Sequence, residues 1–289
     1  MLLRRVDLQR SCDGVIVEHG ELLDRLLADK ELLRSIELLG PENQVDARKD
    51  KKLREVAGFC EVILRYVRQF LQKKDRLRVA EFSCGKSYLG IVLVRLLVEL
   101  ESKPAELVGV DVNERLIEKC RRLAEDVGLE DARFIVGRTI DFADEGDWDL
   151  VVALHACDTA TDEAIARGIQ LGARLILTVP CCQNQIRGQV RDGHELTPMT
   201  DFGPVRYRLA NLLTDSLRAQ FLRSAGYYVE MTEIGSPRLT PKNLCICARK
   251  TRRGIYPGID SGYRALKSFF GVRPKVERLC PGVVGQDEE

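Results

Sequence analysis

Hydrophobic positions along the chain follow two periodicities, and the change from one to the other predicts the order of helices and strands. Apolar residues recur every three or four positions in residues 20–39 and 51–71, which predicts two amphipathic helices. From residue 77 onwards, short apolar runs alternate with helical segments. The predicted strands cover residues 77–82, 106–111, 133–137, 149–154, 174–180, 227–234 and 244–248. The predicted helices between them cover residues 86–100, 113–127, 159–170 and 205–225.

This alternation predicts a doubly wound α/β fold with a mostly parallel, Rossmann-like sheet of seven strands. The last two strands are close enough along the chain to form an antiparallel hairpin. Three regions follow from the pattern: a helical N-terminal cap over residues 1–75, an α/β domain over residues 76–250 and a C-terminal tail over residues 251–289.

Composition adds expectations about compartment and partners. The 289 residues are 45% hydrophobic, enough for one large core and a smaller accessory region. No apolar run is long enough to cross a membrane and charges interrupt the first five residues, so we expect a cytoplasmic protein without a membrane partner. The ten cysteines form no C-x-x-C pair, so we expect reduced thiols and no metal.

The net charge of +1 conceals a basic tail. Residues 249–278 carry nine Lys and Arg residues against two acidic ones. Such a segment is either a solvated face or a holding site for RNA phosphates, and its aromatic residues could stack on unpaired bases. These aromatic residues are Tyr256, Tyr263, Phe269 and Phe270.

The first predicted strand, turn and helix have the form of a nucleotide-cofactor site. Glu81 and Asp111 end successive strands, and an acid at the second position suits ribose hydroxyls. The turn holds only Gly85 of a G-x-G-x-x-G pattern, which disfavours a pyrophosphate. A Walker A loop is nearly met by Gly85-Lys86-Ser87, but Glu81 would repel phosphates there. S-adenosylmethionine fits better, because its ammonium and sulfonium would be attracted to that acid.

Two further segments should reach the same edge of the sheet, where the fourth and fifth strands end. They are Leu154-His-Ala-Cys-Asp158 and Val179-Pro-Cys-Cys-Gln183. His155 could accept a proton from a substrate, or it could be a structural histidine. Asp158 could face the transferred group, or it could cap the next helix.

Four separated motifs together resemble one methyltransferase family, which includes methyltransferase-like protein 25 and the glutathione S-transferase C-terminal-domain protein. The resemblance runs from about Asp46 to Lys250 and implies a class I S-adenosylmethionine-dependent methyltransferase, with relatives that act on tRNA. The motifs are Leu154-His-Ala-Cys-Asp-Thr-Ala-Thr-Asp162, Val179-Pro-Cys-Cys-Gln183, Leu212-Leu-Thr-Asp-Ser-Leu-Arg-Ala219 and Thr240-Pro-Lys-Asn243.

The chain departs from that family at two places. Ser83 stands where the family's turn has a glycine, which narrows the turn beside the methionine part of the cofactor. Asn184 and Gln185 replace a histidine and a glutamate after the cysteine pair. If that histidine accepts the proton in relatives, the chemistry here must be different or weaker.

Residues and resemblance together predict a site. The catalytic candidates are His155 and Asp158. The predicted cofactor-binding residues are Glu81, Ser83, Cys84, Gly85, Ser87, Asp111, Val112, Thr139, Ile140 and Leu154. The predicted substrate-binding residues are Cys181, Cys182, Gln183, Lys242 and Asn243, with Arg238 also on the hairpin loop.

Several interpretations stay open. Cys181 and Cys182 are best explained as buried structural thiols, with a pocket wall, a nucleophile or a zinc site formed with Cys157 and His155 as alternatives. RNA is the favoured substrate. The rival functions are methylation of a protein or small molecule, cofactor binding by a degenerate enzyme, and nucleoside triphosphate binding.

Overall fold

A computed structural model describes residues 19–40, 47–190, 195–234, 243–251 and 259–284. The seven strands are β1 (Leu77–Phe82), β2 (Ala105–Asp111), β3 (Ala132–Val136), β4 (Leu150–Leu154), β5 (Leu175–Val179), β6 (Tyr227–Glu233) and β7 (Leu244–Lys250). The longer helices are α1 (His19–Ala28), α3 (Ala47–Phe70), α4 (Tyr88–Glu101), α5 (Glu114–Asp126), α6 (Thr159–Gln170), α9 (Gly203–Ser224) and α10 (Ile259–Phe270). The short ones are α2 (Lys30–Ser35), α7 (Asn184–Arg187), α8 (Thr197–Thr200) and α11 (Lys275–Leu279).

All seven strands form one sheet in the order β3-β2-β1-β4-β5-β7-β6. The first five are parallel, while β7 runs antiparallel to both β5 and β6. The predicted fold and the terminal hairpin are therefore confirmed. Because the order reverses between β1 and β4, the carboxyl ends of these two strands border the crevice in which such sheets bind ligands.

Helices cover both faces of the sheet and create two hydrophobic clusters. On one face, the N-terminal helices α1 to α3 pack with α4 and the sheet in a single cluster. On the other face, α6, α9, α10 and α11 share the second cluster. The N-terminal helices are thus part of the main core.

Two local details differ from the predicted pattern. The predicted helix at 20–39 is divided into α1 and α2, because Asp29 caps α2 by accepting a hydrogen bond of 3.0 Å from the Leu32 N–H. The basic tail is partly packed: Tyr263 and Phe270 are buried, and the Tyr263 ring lies 6.0 Å from that of Phe221 on α9. These two rings therefore cannot stack on bases, whereas Phe269 is exposed and Tyr256 lies outside the described residues.

Among the described residues, no helix is both long and apolar enough to cross a membrane.

Candidate functional site

The turn between β1 and α4 has three residues in the left-handed region of backbone space: Ser83, Gly85 and Ser87, with φ of 53°, 55° and 50°. The Cys84 N–H donates to the Val110 carbonyl at 3.1 Å, which fastens the turn to β2. Only glycine adopts such a φ without a penalty, so the serines add local strain. The hydrogen bond to β2 holds the turn against the end of the sheet despite this strain, and α4 begins at Tyr88, two residues later than predicted.

Glu81 is buried beneath the first turn of α4. Its carboxylate accepts hydrogen bonds from the Ser87 hydroxyl and from the Gly90 N–H at 3.2 Å. A side chain at Gly90 would clash with the Glu81 Oε2, so this glycine permits the close approach. Burial raises the pKa of Glu81 to about 7, although Ser87, Gly90 and Lys52 act in the opposite direction. In this position Glu81 acts as an internal support of the α4 N-terminus.

Asp111 ends β2 and joins the turn after β1 to the loop after β2. Its Oδ2 accepts a 2.9 Å bond from the Gly85 N–H, and its Oδ1 accepts a 2.9 Å bond from the Asn113 N–H. The next helix, α5, is capped by Asn113 as expected, through a 3.2 Å bond from the Leu116 N–H. Each carboxylate oxygen can accept a second hydrogen bond, so Asp111 keeps capacity for hydroxyl groups.

A cavity of about 300 Å³ lies at the carboxyl ends of β2, β3 and β4. Four predicted cofactor residues line it: Ser83, Asp111, Val112 and Thr139. Val112 is 68% exposed, so its apolar side chain is available to a flat ring. The other predicted cofactor residues do not line the cavity; they are Glu81, Cys84, Gly85, Ser87, Ile140 and Leu154.

One wall of this cavity carries an ion pair that the sequence does not predict. Arg138 donates to the Glu163 carboxylate of α6 at 2.7 Å, and both residues line the cavity.

His155 follows β4 with a positive φ of 61° and pairs with an acid from the N-terminal helices. The His155 Nε2 lies 3.2 Å from the Glu55 Oε2, and the His155 backbone N–H donates to the Val179 carbonyl at 3.1 Å. A left-handed backbone is uncommon among non-glycine residues and costs conformational energy, so the surrounding contacts hold His155 in this conformation. Sequence reasoning missed Glu55, because helix α3 showed no motif of its own.

Asp158 stands at the N-cap position of α6 with a φ of 53°, but its side chain makes no capping hydrogen bond. Its Oδ1 instead accepts a 2.9 Å bond from the Gln185 N–H of α7. The helix-cap interpretation of this carboxylate is therefore wrong. Asp158 ties the loop after β4 to the segment after β5.

The predicted thiols come together where β4 and β5 end. The Cys157 Sγ lies 3.0 Å from the Cys181 Sγ, which in turn lies 3.8 Å from the Cys182 Sγ. Cys181 is buried, whereas Cys157 is exposed and lines the cavity. Burial raises the pKa of the Cys181 thiol.

The remaining predicted substrate residues do not share this position. Gln183 is buried, and its amide donates to the Asp215 carboxylate at 3.0 Å. Asn243 is also buried. Lys242 and Arg238 lie outside the described residues.

A buried ion cluster holds these loops from behind. The Arg218 guanidinium on α9 contacts Asp162 at 3.0 and 2.9 Å, Asp215 at 3.2 Å and the Asp158 carbonyl at 2.7 Å. Two motifs of the family resemblance, around Asp162 and around Asp215 and Arg218, thus meet in one network. Their role here is to position the ends of β4 and β5.

Comparison with known proteins agrees with this architecture. A family model described as a methyltransferase domain matches residues 51–189. The mouse glutathione S-transferase C-terminal domain-containing protein is 31% identical over 116 residues, 40% of this chain and 17% of that protein. The human protein is 29% identical over 116 residues, which are again 40% of this chain and 17% of that protein. The chain thus spans 17% of the length of the curated relatives it matches.

Solved structures of low sequence identity are also similar to the chain. Magnesium protoporphyrin IX methyltransferase from Synechocystis PCC 6803 with bound SAH is 15% identical, with a TM-score of 0.45, over 81% of this chain and 99% of that one. An rRNA methylase from Streptococcus thermophilus is 11% identical, with a TM-score of 0.43, and the match covers 65% of this chain and 96% of that one. The family model matches residues 51–189, in agreement with the methyltransferase resemblance that the motifs predicted, and the seven-stranded sheet has the class I S-adenosylmethionine-dependent methyltransferase fold.

Proposed function

We propose that the protein transfers a methyl group from S-adenosylmethionine to RNA. The observation that carries the proposal is the cavity of about 300 Å³ lined by Ser83, Asp111 and Thr139, with Cys157 at its β4 side. It lies where doubly wound sheets bind ligands. In this assignment Asp111 receives the ribose hydroxyls and Val112 packs on the adenine ring.

Binding of S-adenosylhomocysteine tests the cofactor part. Asp111→Asn removes the charge that favours the hydroxyl donors, so binding should weaken by about 1–3 kcal/mol. Titration calorimetry measures this loss, and Asp126→Asn, an exposed acid at the end of α5, is the matched control. Unchanged affinity in a folded Asp111→Asn variant would exclude the ribose assignment. Binding of ATP instead would favour the nucleoside triphosphate alternative.

His155 is the proposed proton acceptor for the substrate, with Glu55 holding its ring. A positioned base contributes roughly 10²–10⁴-fold to a rate. His155→Gln should therefore lower kcat by at least about 100-fold and leave the affinity for S-adenosylhomocysteine unchanged. A variant that keeps full activity would leave His155 with a structural role, and Asp158 would be tested next by Asp158→Asn.

RNA as the substrate is supported by a groove beside the site. A cavity of about 710 Å³ is lined by Gln185, Arg273 and Arg278, among others. Gln185 connects the groove to the site, because its N–H donates to Asp158 and its amide donates to the Arg273 carbonyl at 2.8 Å. Both arginines are exposed and can neutralise phosphates that lead towards the cavity.

Labelled methyl transfer to RNA, protein and metabolite fractions tests the substrate class. Label in protein or in metabolites alone would contradict the RNA proposal. The affinity for RNA measured over a series of salt concentrations then tests the groove. In the double variant Arg273→Ala and Arg278→Ala, the negative slope of log affinity against log salt should become smaller in magnitude by about 1.4, because two phosphate contacts are lost. Its control is Arg95→Ala with Arg122→Ala, two exposed arginines on α4 and α5.

A further inference from the structure

Three cysteine sulfurs converge at the edge of the candidate site. Cys157 follows β4, and Cys181 and Cys182 follow β5, its parallel neighbour in the sheet. All three Sγ atoms lie within 4.8 Å of one another. The sequence left a zinc site with these cysteines open only as an alternative to structural thiols, because the ligands come from two loops and follow no C-x-x-C spacing.

The spacing of the sulfurs is close to that of a thiolate metal site. In a tetrahedral zinc site with Zn–S bonds of about 2.3 Å, two sulfurs lie about 3.8 Å apart. Cys181 and Cys182 already have an Sγ–Sγ distance of 3.8 Å. The Cys157 Sγ lies only 3.0 Å from the Cys181 Sγ, which is closer than in a zinc site. Because Cys157 is exposed, its side chain has room to move outwards until the sulfurs reach the zinc-site spacing.

The loops that carry the sulfurs are fixed by their surroundings. The Arg218 guanidinium holds the Asp158 carbonyl next to Cys157, and the Asp158 carboxylate holds the Gln185 N–H beyond Cys182. Lys52 interacts electrostatically with Cys181, which offsets the negative charge that three thiolates around one divalent cation would leave. Such support orients the ligands before an ion binds.

We propose that Cys157, Cys181 and Cys182 bind one zinc ion through three thiolates, with the fourth coordination position open towards the 300 Å³ cavity. Cys157 provides the link, since its side chain belongs to the cluster and also lines that cavity. Three protein ligands with one open position are typical of catalytic rather than structural zinc. Each thiol loses its proton when it binds, so three protons are released per ion. The inference depends on the sulfur positions and not on the proposed RNA substrate.

Zinc titration of the full, reduced and metal-free chain tests this site. With a chromophoric chelator as competitor, we expect one zinc ion per chain and about three protons released per ion in weakly buffered solution. Cobalt in place of zinc should give thiolate-to-metal charge-transfer absorption. Loss of a supporting partner alone costs 10–100-fold in metal affinity, so Cys157→Ser should weaken binding by at least about 100-fold.

Cys245→Ser is the matched control. Cys245 and Cys247 form another close sulfur pair, 3.4 Å apart and buried, which belongs to no such three-ligand group among the described residues. This variant should keep full zinc binding. Because Cys157 is exposed, its replacement is compatible with folding, and circular dichroism verifies that for each variant.

Two results would overturn the zinc site. One is reduced wild-type protein that binds no zinc. The other is equal loss of zinc in Cys157→Ser and Cys245→Ser, which would mean adventitious capture by thiols. If zinc is absent and mass spectrometry of oxidised protein finds a Cys157–Cys181 disulfide, the cluster is a redox pair instead. Failure of RNA methylation with zinc bound would leave this inference intact and reject the proposed substrate.

Discussion

Two sets of buried carboxyl groups support the site, and they are compensated in different ways. Asp162 and Asp215 share the Arg218 guanidinium, so their charges are balanced inside the core. Within the described part of the chain, the direct partners of Glu81 are the Ser87 hydroxyl and the Gly90 N–H, and burial raises its pKa to about 7. The first arrangement pairs the acids with a buried cation, whereas the second has no cation in direct contact and changes charge near neutral pH. The half of the site after β4 and β5 is thus held by ion pairs, and the cofactor turn is held by hydrogen bonds to a titrating acid.

Removing the cation tests this difference most strongly. Arg218→Met leaves Asp162 and Asp215 buried without their partner, which typically costs about 3–5 kcal/mol. We expect that loss in the free energy of unfolding, measured with urea at pH 7. The control is Arg122→Met, an exposed arginine of α5, which should stay within about 0.5 kcal/mol of wild type. A loss below about 1 kcal/mol would mean that the acids do not depend on Arg218.

The second prediction concerns pH and Glu81. The folded protein binds the Glu81 proton more tightly than the unfolded chain, because the pKa rises from 4.5 to about 7 on folding. The stability that this proton provides is therefore complete below pH 4.5 and is lost as the pH rises to 7. Relative to wild type, Glu81→Gln should gain about 3 kcal/mol of stability between pH 4.5 and pH 8.

Urea unfolding over that pH range measures the gain. Glu99→Gln, at an exposed position of α4, is the control and should follow wild type. A constant difference between Glu81→Gln and wild type would mean that Glu81 does not titrate in this range.

The smallest expected effect belongs to Ser87. Its hydroxyl donates to Glu81 and lowers the pKa of that carboxyl, so Ser87→Ala should move the loss of stability to higher pH. At pH 8 the variant should also lose about 1 kcal/mol, because one hydrogen bond to a buried acceptor is removed. The same unfolding series detects both changes. Identical profiles for Ser87→Ala and wild type would show that the hydroxyl contributes nothing to this acid.

The sequence allowed the fold to be predicted well because the signals for it are local. The buried strands read as continuous apolar runs, and β1 and α6 have the bounds that were predicted. Asp111 could also be placed, since an acid at the end of the second strand has a fixed relation to the turn. The resemblance to a methyltransferase family, which rests on motifs far apart in the chain, is confirmed.

Contacts between distant segments limited the rest. Glu55 and His155 are 100 residues apart, and Asp162 and Arg218 are 56 apart, so no local pattern pairs them. The direction of a side chain could not be predicted either. Glu81 and Gln183 occupy the expected strand ends, but the Glu81 carboxyl group and the Gln183 amide group both face the protein interior. A polar residue at the end of a strand predicts a location, but packing decides which way it points.

Helix α3 has a consequence for how the protein can be divided. It contributes Glu55 to the His155 pair, and its buried side chains belong to the same hydrophobic cluster as β1 and α4. A fragment that begins at residue 76 would contain every strand of the sheet but would expose that cluster and release the histidine ring. The minimal unit for expression and for transplanting the activity into another protein therefore includes α3.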